Sequence, residues 1–259
     1  MKQLVKACRL GRLRYAPTWE LQREIQSRLI QAKRGDPEQL IPHVMLLLEH
    51  EPVFTLGKSG DDENVVWDAE RRALEGVAFH RIDRGGDVTF HGPGQLVGYP
   101  ILDLDRFFTD IHRYLRELEE AVIRVLARVD LEGGRVDGRT GVWVGPDSRG
   151  AERKLCAMGV RCSRWVTMHG FALNVQPRLS YYDGIVPCGI EDRSVTSMAV
   201  EAGRPLDMSR VMDWFEMAFA ERFDCRVETV SGEAAWDWLS QFLGRPVEPE
   251  VYLLPDPTG

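Results

Sequence analysis

The chain has 259 residues, 44% apolar and 28% charged, the balance of an ordinary globular protein long enough to bury a sizeable core. With 33 basic against 40 acidic side chains the formal charge is −7, which excludes bulk electrostatic attraction to nucleic acid or an anionic membrane. No apolar run approaches the roughly 20 residues that span a bilayer.

The first residues carry Lys2, Lys6, Arg9, Arg12 and Arg14, and no acid precedes Glu20. Transit peptides share that bias, but the stretch is not serine-rich and runs straight into a helical pattern. It reads as a first strand, and the chain as cytoplasmic. Leu21, Ile25 and Leu29 share one side of a helix expected over about 18–33. Short runs over 43–48, 53–56, 78–82 and 96–104 read as strands bounded by turn residues. Ile111, Leu115, Leu118, Val122, Val125, Leu126 and Val129 recur at helical spacing, predicting a helix over 109–129 with Thr109 as N-cap. Further strands follow over 141–144, 155–162 and 171–175. The segments around 155–175 adjoin with no helix between them, which argues for an α+β, mixed-sheet architecture over a regular βαβ winding. Val211, Phe215 and Phe219 predict a helix over about 207–222, and Trp236, Leu239 and Leu243 a shorter last one. Pro246, Pro249, Pro255 and Pro257 mark an irregular tail, so that one domain over 1–245 and a tail over 246–259 are expected.

The five cysteines, Cys8, Cys156, Cys162, Cys188 and Cys225, are an odd number without zinc-site spacing, so free thiols are expected. Gly57-Lys58-Ser59 resembles the end of a phosphate-binding loop, but Pro52 stands where that motif needs its first glycine. Three segments carry chemistry. From Arg84 to Gln95, four glycines and His91 form a loop suited to close backbone approach to a ligand. Strict alternation from Lys154 puts Cys156, Met158 and Val160 on its face; such a lysine either reaches solvent or sits in a partly apolar site as a base. Cys188, between Pro187 and Gly189, sits on a turn beside a backbone N–H that can stabilise an oxyanion. Of six histidines, His91 and His169 adjoin glycine in these segments. Local sequence leaves a Cys-His and a Cys-Lys pair equally open.

Leu56-Gly57, the run from Arg84 to Asp103, that from Lys154 to Val175 and that from Ile185 to Met198 together resemble the octanoyltransferase family of lipoate biosynthesis and protein lipoylation. The resemblance implies the catalytic fold of lipoate–protein ligases and biotin protein ligases, a mixed β-sheet flanked by helices. It implies that Cys188 carries an acyl thioester and that Lys154 is its partner and lowers its pKa. Substrate contacts carry over to Arg84, Gly85, Gly86, Asp87, Val88, Thr89, Phe90 and His91, to Ala157, Met158 and Gly159, and to Gly170, Phe171 and Ala172. No metal, ATP or other cofactor is implied. The implied donor is octanoyl-acyl carrier protein. The implied acceptor is a lysine of a lipoyl domain of a 2-oxoacid dehydrogenase complex or of the glycine cleavage H protein, served by a monomer without membrane or nucleic-acid partners.

In this reading Phe90, Met158 and Phe171 line an alkyl channel, and burying eight carbons contributes roughly 5–6 kcal/mol. Arg81, Arg84, Arg153, Lys154, Arg161 and Arg164 would form a basic rim. Cys156 stands where the family usually has a small non-thiol residue, and is a competing target for thiol labelling. No function carries onto residues after about 230. The rival readings are an ATP-dependent ligase of the same fold, a Cys-His thioesterase or amidase, and a non-catalytic acyl-carrier binder.

Overall fold

The structure is a computed structural model that describes residues 2–35, 41–186 and 194–253; Pro187, Cys188 and Gly189 lie outside the described residues. An eight-stranded mixed sheet has the order β11-β1-β2-β6-β10-β9-β8-β7. Its strands are β1 (Gln3–Leu13), β2 (His43–His50), β6 (Gln95–Ile101), β7 (Gly133–Val136), β8 (Arg139–Val144), β9 (Arg153–Ser163), β10 (Val166–Asn174) and β11 (Cys225–Ser231). The β11, β1 and β2 strands run parallel, and the pairings from β2 through β6, β10, β9 and β8 to β7 are antiparallel. A second sheet, β4-β3-β5, holds β3 (Val53–Leu56), β4 (Ala78–Arg81) and β5 (Val88–His91).

Burial on both faces explains why β2 reads as a continuous apolar run. Met45 and Leu47 face one core with α3 (Ile111–Ala127) and α5 (Met208–Arg222). Val44, Leu46 and Leu48 face a second core with α1 (Tyr15–Arg34) and α6 (Glu233–Leu243). Two short helices, α2 (Ala69–Leu74) and α4 (Met198–Ala202), complete the α-helices among the described residues. Among the described residues no helix is long and apolar enough to cross a membrane.

Three local expectations change. The α3 helix is capped by Asp110 and not Thr109: Asp110 is extended (φ −146°, ψ 109°), and its carboxylate accepts the Arg113 N–H at 3.0 Å. The α1 helix begins at Tyr15, before the expected 18, because Pro17 falls in a first turn that has no N–H bonds to make. The segment after Pro246, expected as irregular, contains a short turn over Pro249–Val251, and Val247 and Tyr252 bury beside Trp236.

Candidate functional site

A cavity of about 550 Å³ lies where the two sheets meet. Its wall is built first by backbone. The loop from Arg84 to Gly86 docks on Gly57, where the Lys58 N–H donates to the Arg84 carbonyl at 3.0 Å. A Cβ on Gly57 would stand 2.2 Å from the Gly86 carbonyl oxygen, so only glycine fits. Across the cavity the Gly85 N–H donates to the Val160 carbonyl at 3.0 Å, and a Cβ on Gly159 would come within 2.8 Å of the Gly85 oxygen. Gly57 is therefore the seat of the loop, and its resemblance to a phosphate-binding glycine is incidental.

Of the residues singled out in the sequence, the cavity brings together Arg84, Gly85, Gly86, Asp87, Val88, Thr89, His91, Lys154, Ala157, Met158, Gly159, Gly170, Phe171 and Ala172. Phe90 is not among them. Alternation along β5 turns its ring away into a separate core, where it stacks on Tyr181 with centroids 4.9 Å apart. A channel role for Phe90 is thereby withdrawn.

Strict alternation also fails at Lys154. Val142 pairs with Cys156 while the next residue, Trp143, pairs with Lys154, so Leu155 is an extra, bulged residue. Val142 and Trp143 point to opposite faces, and Lys154 goes with Trp143. Its Nζ lies 4.9 Å from the Trp143 ring centroid, half-buried on the cavity wall, while Leu155 and Cys156 enter the α3/α5 core. Cys156 is fully buried and burial pushes its thiol pKa up. It is a core residue, not the accessible competitor expected from its spacing.

Lys154 is tied to the chain beyond the third segment. Its N–H donates to the Ser194 carbonyl (3.0 Å), its carbonyl accepts from the Thr196 N–H (2.9 Å), and Ser194 and Val195 line the cavity. Before that segment, the Val186 N–H donates to the Asn64 carbonyl at 2.8 Å. The Asn174 amide donates to the Thr196 carbonyl, and its Oδ1 accepts from Gln95 at 2.9 Å and from Tyr182 at 3.1 Å.

Both candidate histidines line the same cavity in neutral form. His91 donates from Nδ1 to Gln95 Oε1 at 2.9 Å, and burial, then neighbouring His50, push its pKa well below the ordinary value. His50 donates from Nδ1 to the Leu13 carbonyl (2.9 Å) and accepts from the Tyr99 hydroxyl at Nε2 (2.7 Å); its pKa is lowered to about 4 by burial. His169 donates from Nε2 to Asp83 Oδ1 at 2.9 Å, and burial lowers its pKa against the pull of Asp83. Burial opposes ionisation of Asp83, but the His169 hydrogen bond and the Arg161 and Arg23 guanidiniums outweigh it and hold the carboxylate low.

The expected basic rim is largely neutralised. Arg81 pairs with Asp62, Arg161 with Asp83, and Arg153 with Asp147 at 2.8 Å and Glu201 at 3.0 Å. Arg84 turns inward and donates to the Thr55 carbonyl at 2.7 Å. Among the described residues no cluster of His, Cys, Asp and Glu is arranged to hold a metal ion. The wall residues Tyr15, Tyr99, Trp143, Asn174 and Tyr182 were not anticipated. The burial of their aromatic and amide side chains depends on tertiary packing, although Asn174 closes a strand already singled out.

The family model of the lipoyl protein ligase A/B catalytic domain matches residues 14–220. The chain is 47% identical to an octanoyltransferase of Flavobacterium psychrophilum over 232 residues, 88% of this chain and 100% of the relative. It is 52% identical to that of Flavobacterium johnsoniae over 207 residues, 78% of this chain and 89% of the relative. Among solved structures, a bipartite lipoate protein ligase with its E2 lipoyl domain from Thermoplasma acidophilum superposes with a TM-score of 0.62 at 16% identity. That match covers 94% of this chain and 92% of the other. A lipoate-protein ligase A bound with ATP gives 0.61 at 16%, covering 94% and 95%. These two likenesses establish a shared fold. The extent and identity of the sequence matches go further: the chain belongs to the octanoyltransferase family, transferases within the lipoyl protein ligase A/B catalytic-domain group.

Proposed function

We propose that this chain moves an octanoyl group from octanoyl-acyl carrier protein to the lysine of a lipoyl carrier domain, with Cys188 as nucleophile and Lys154 as its proton partner. The observation that carries the reading is the placement of Lys154. It lies on the wall shared with the Arg84 to His91 segment, and its backbone is bonded to Ser194 and Thr196, close in sequence to Cys188.

In the first step the Cys188 thiolate attacks the donor's thioester carbon; a new C–S bond forms and the carrier thiol leaves with the proton of the Lys154 ammonium. One thioester replaces another, so the step is nearly balanced. In the second step the acceptor amine attacks that carbon. The C–N bond forms, the C–S bond breaks, and the now neutral Lys154 takes the amine's proton. Amide formation drives the sequence. An ordinary cysteine titrates near ~8.5, so lowering by about two units leaves it mostly thiolate at neutral pH.

Octanoyl-carrier protein and a lipoyl domain, mixed with the enzyme and no ATP, are expected to give octanoylated lipoyl domain. Cys188→Ser and Lys154→Met should each abolish that product. An absolute need for ATP, or free octanoate released at the same rate without acceptor, would overturn the proposal.

A further inference from the structure

The cavity opens where its lining is exposed. His91, Tyr99, His169 and Asn174 are buried and form its closed part, whereas Gly85, Gly86, Gly138 and Ser194 are exposed and mark its mouth. Lys154 stands near that mouth: its N–H is bonded to the Ser194 carbonyl, and a Cβ on Gly141 would come within 3.4 Å of its Cε. Arg139 precedes Gly141 by two residues, about 7 Å along β8, and follows Gly138 at the tip of the β7–β8 hairpin.

The acids that neutralise the expected rim do not reach Arg139. It is half-buried and lines the cavity, yet it forms no ion pair among the described residues, and its Nη1 is buried without a hydrogen-bond partner. The other cations on the wall are engaged, Arg84 with the Thr55 carbonyl and Lys154 over the Trp143 ring. A guanidinium drawn partly out of water without a partner is unfavourable, and an anion arriving at the mouth offsets that cost.

The donor in the octanoyl-transfer reading brings such an anion. An acyl-carrier thioester is joined to its protein by a pantetheine arm that ends in a phosphodiester. Roughly thirteen bonds separate the sulfur from the phosphorus, about 16 Å when extended. With the sulfur beside Lys154, an arm leaving through the mouth brings its phosphate within reach of Arg139. We propose that Arg139 binds the phosphate of the donor's pantetheine arm at the cavity mouth. The inference rests on the octanoyl-transfer reading and adds a phosphate subsite to it. The planar fork of a guanidinium suits this role, since two N–H groups meet two phosphate oxygens.

The test compares phosphopantetheine and pantetheine, which differ only in the phosphate, as inhibitors of transfer from octanoyl-carrier protein. Phosphopantetheine should inhibit wild type at a roughly tenfold lower concentration, the low end for a hydrogen bond to a charged group, because Arg139 is only half-buried. In Arg139→Gln the two inhibitors should become nearly equal, while Arg139→Lys, which keeps the charge without the fork, should retain part of the difference. The wild-type comparison does not depend on how a variant folds. Equal inhibition of wild type by the two compounds, or a difference that survives in Arg139→Gln, would overturn the assignment while octanoyl transfer stands. Inorganic phosphate that inhibits as strongly as phosphopantetheine would overturn it too. Failure of wild type to transfer octanoyl would overturn the functional reading and this inference with it.

Discussion

Gly159→Ala isolates the contact that closes the cavity wall. Gly159 has no left-handed backbone to lose, so the perturbation is one methyl group. That methyl would lie 2.8 Å from the Gly85 carbonyl oxygen and 3.1 Å from Arg84 Cδ, and neither the loop backbone nor the central strand yields freely. Overpacking of this kind costs about 1–3 kcal/mol. If the loop lifts, the 3.0 Å bond from the Gly85 N–H to the Val160 carbonyl weakens as well, at about 1 kcal/mol. For a chain of this size each kcal/mol lowers the thermal midpoint by roughly 2–4 °C, so a fall of several degrees is expected. Because the displaced loop bears the cavity wall, KM for the acyl donor should rise along with it. Gly134→Ala is the control, since nothing lies within 4 Å of its added methyl. Calorimetry and donor-dependent kinetics read both variants. A Gly159→Ala protein that melts and turns over like Gly134→Ala would refute the idea that Gly159 is required by the loop's close approach.

Stability should fall as the pH drops below about 7, because buried histidines resist protonation. His50 and His43 have folded pKa values lowered to about 4 and about 3, while unfolded histidine titrates near ~6.5, so the unfolded chain binds more protons as pH drops. His50 alone contributes roughly 3 kcal/mol, complete above ~6.5 and lost by about pH 4; a thermal midpoint flat from pH 7 to 5 would contradict this. Thiol labelling of the folded protein should modify exposed Cys162 ahead of Cys8, Cys156 and Cys225, which are buried and whose thiols burial pushes up. Faster labelling of Cys156 than of Cys162, mapped by peptide mass, would overturn its placement in the core.

Much of the frame was legible because its signals are local. The apolar run of β2, the spacing along α3 and the adjoining β9 and β10 each follow from side-chain period alone. The unread elements had no such period. In β11, exposed Arg226, Thr229 and Ser231 and half-buried Val227, Glu228 and Val230 follow no strict alternation at the sheet edge, and β7 opens on two glycines. The site divides the same way. Motif spacing anticipated the segments that meet at the cavity, but not the bulge at Leu155 that turns Lys154 away from Cys156, nor the turning of the Phe90 ring away from the cavity. The first depends on the register between β8 and β9, the second on which face of β5 meets the core around Phe54 and Tyr182. Tyr15 was invisible for a related reason, since nothing next to it in sequence shows that His50, His80 and His91 will surround its ring.

The central claim is that the acyl group passes through Cys188. Intact-mass measurement after mixing the enzyme with octanoyl-carrier protein, without acceptor, tests it directly. The account predicts one octanoyl adduct, retained in Cys156→Ser and absent from Cys188→Ser. An adduct that persists in Cys188→Ser, or is lost only in Cys156→Ser, would contradict it.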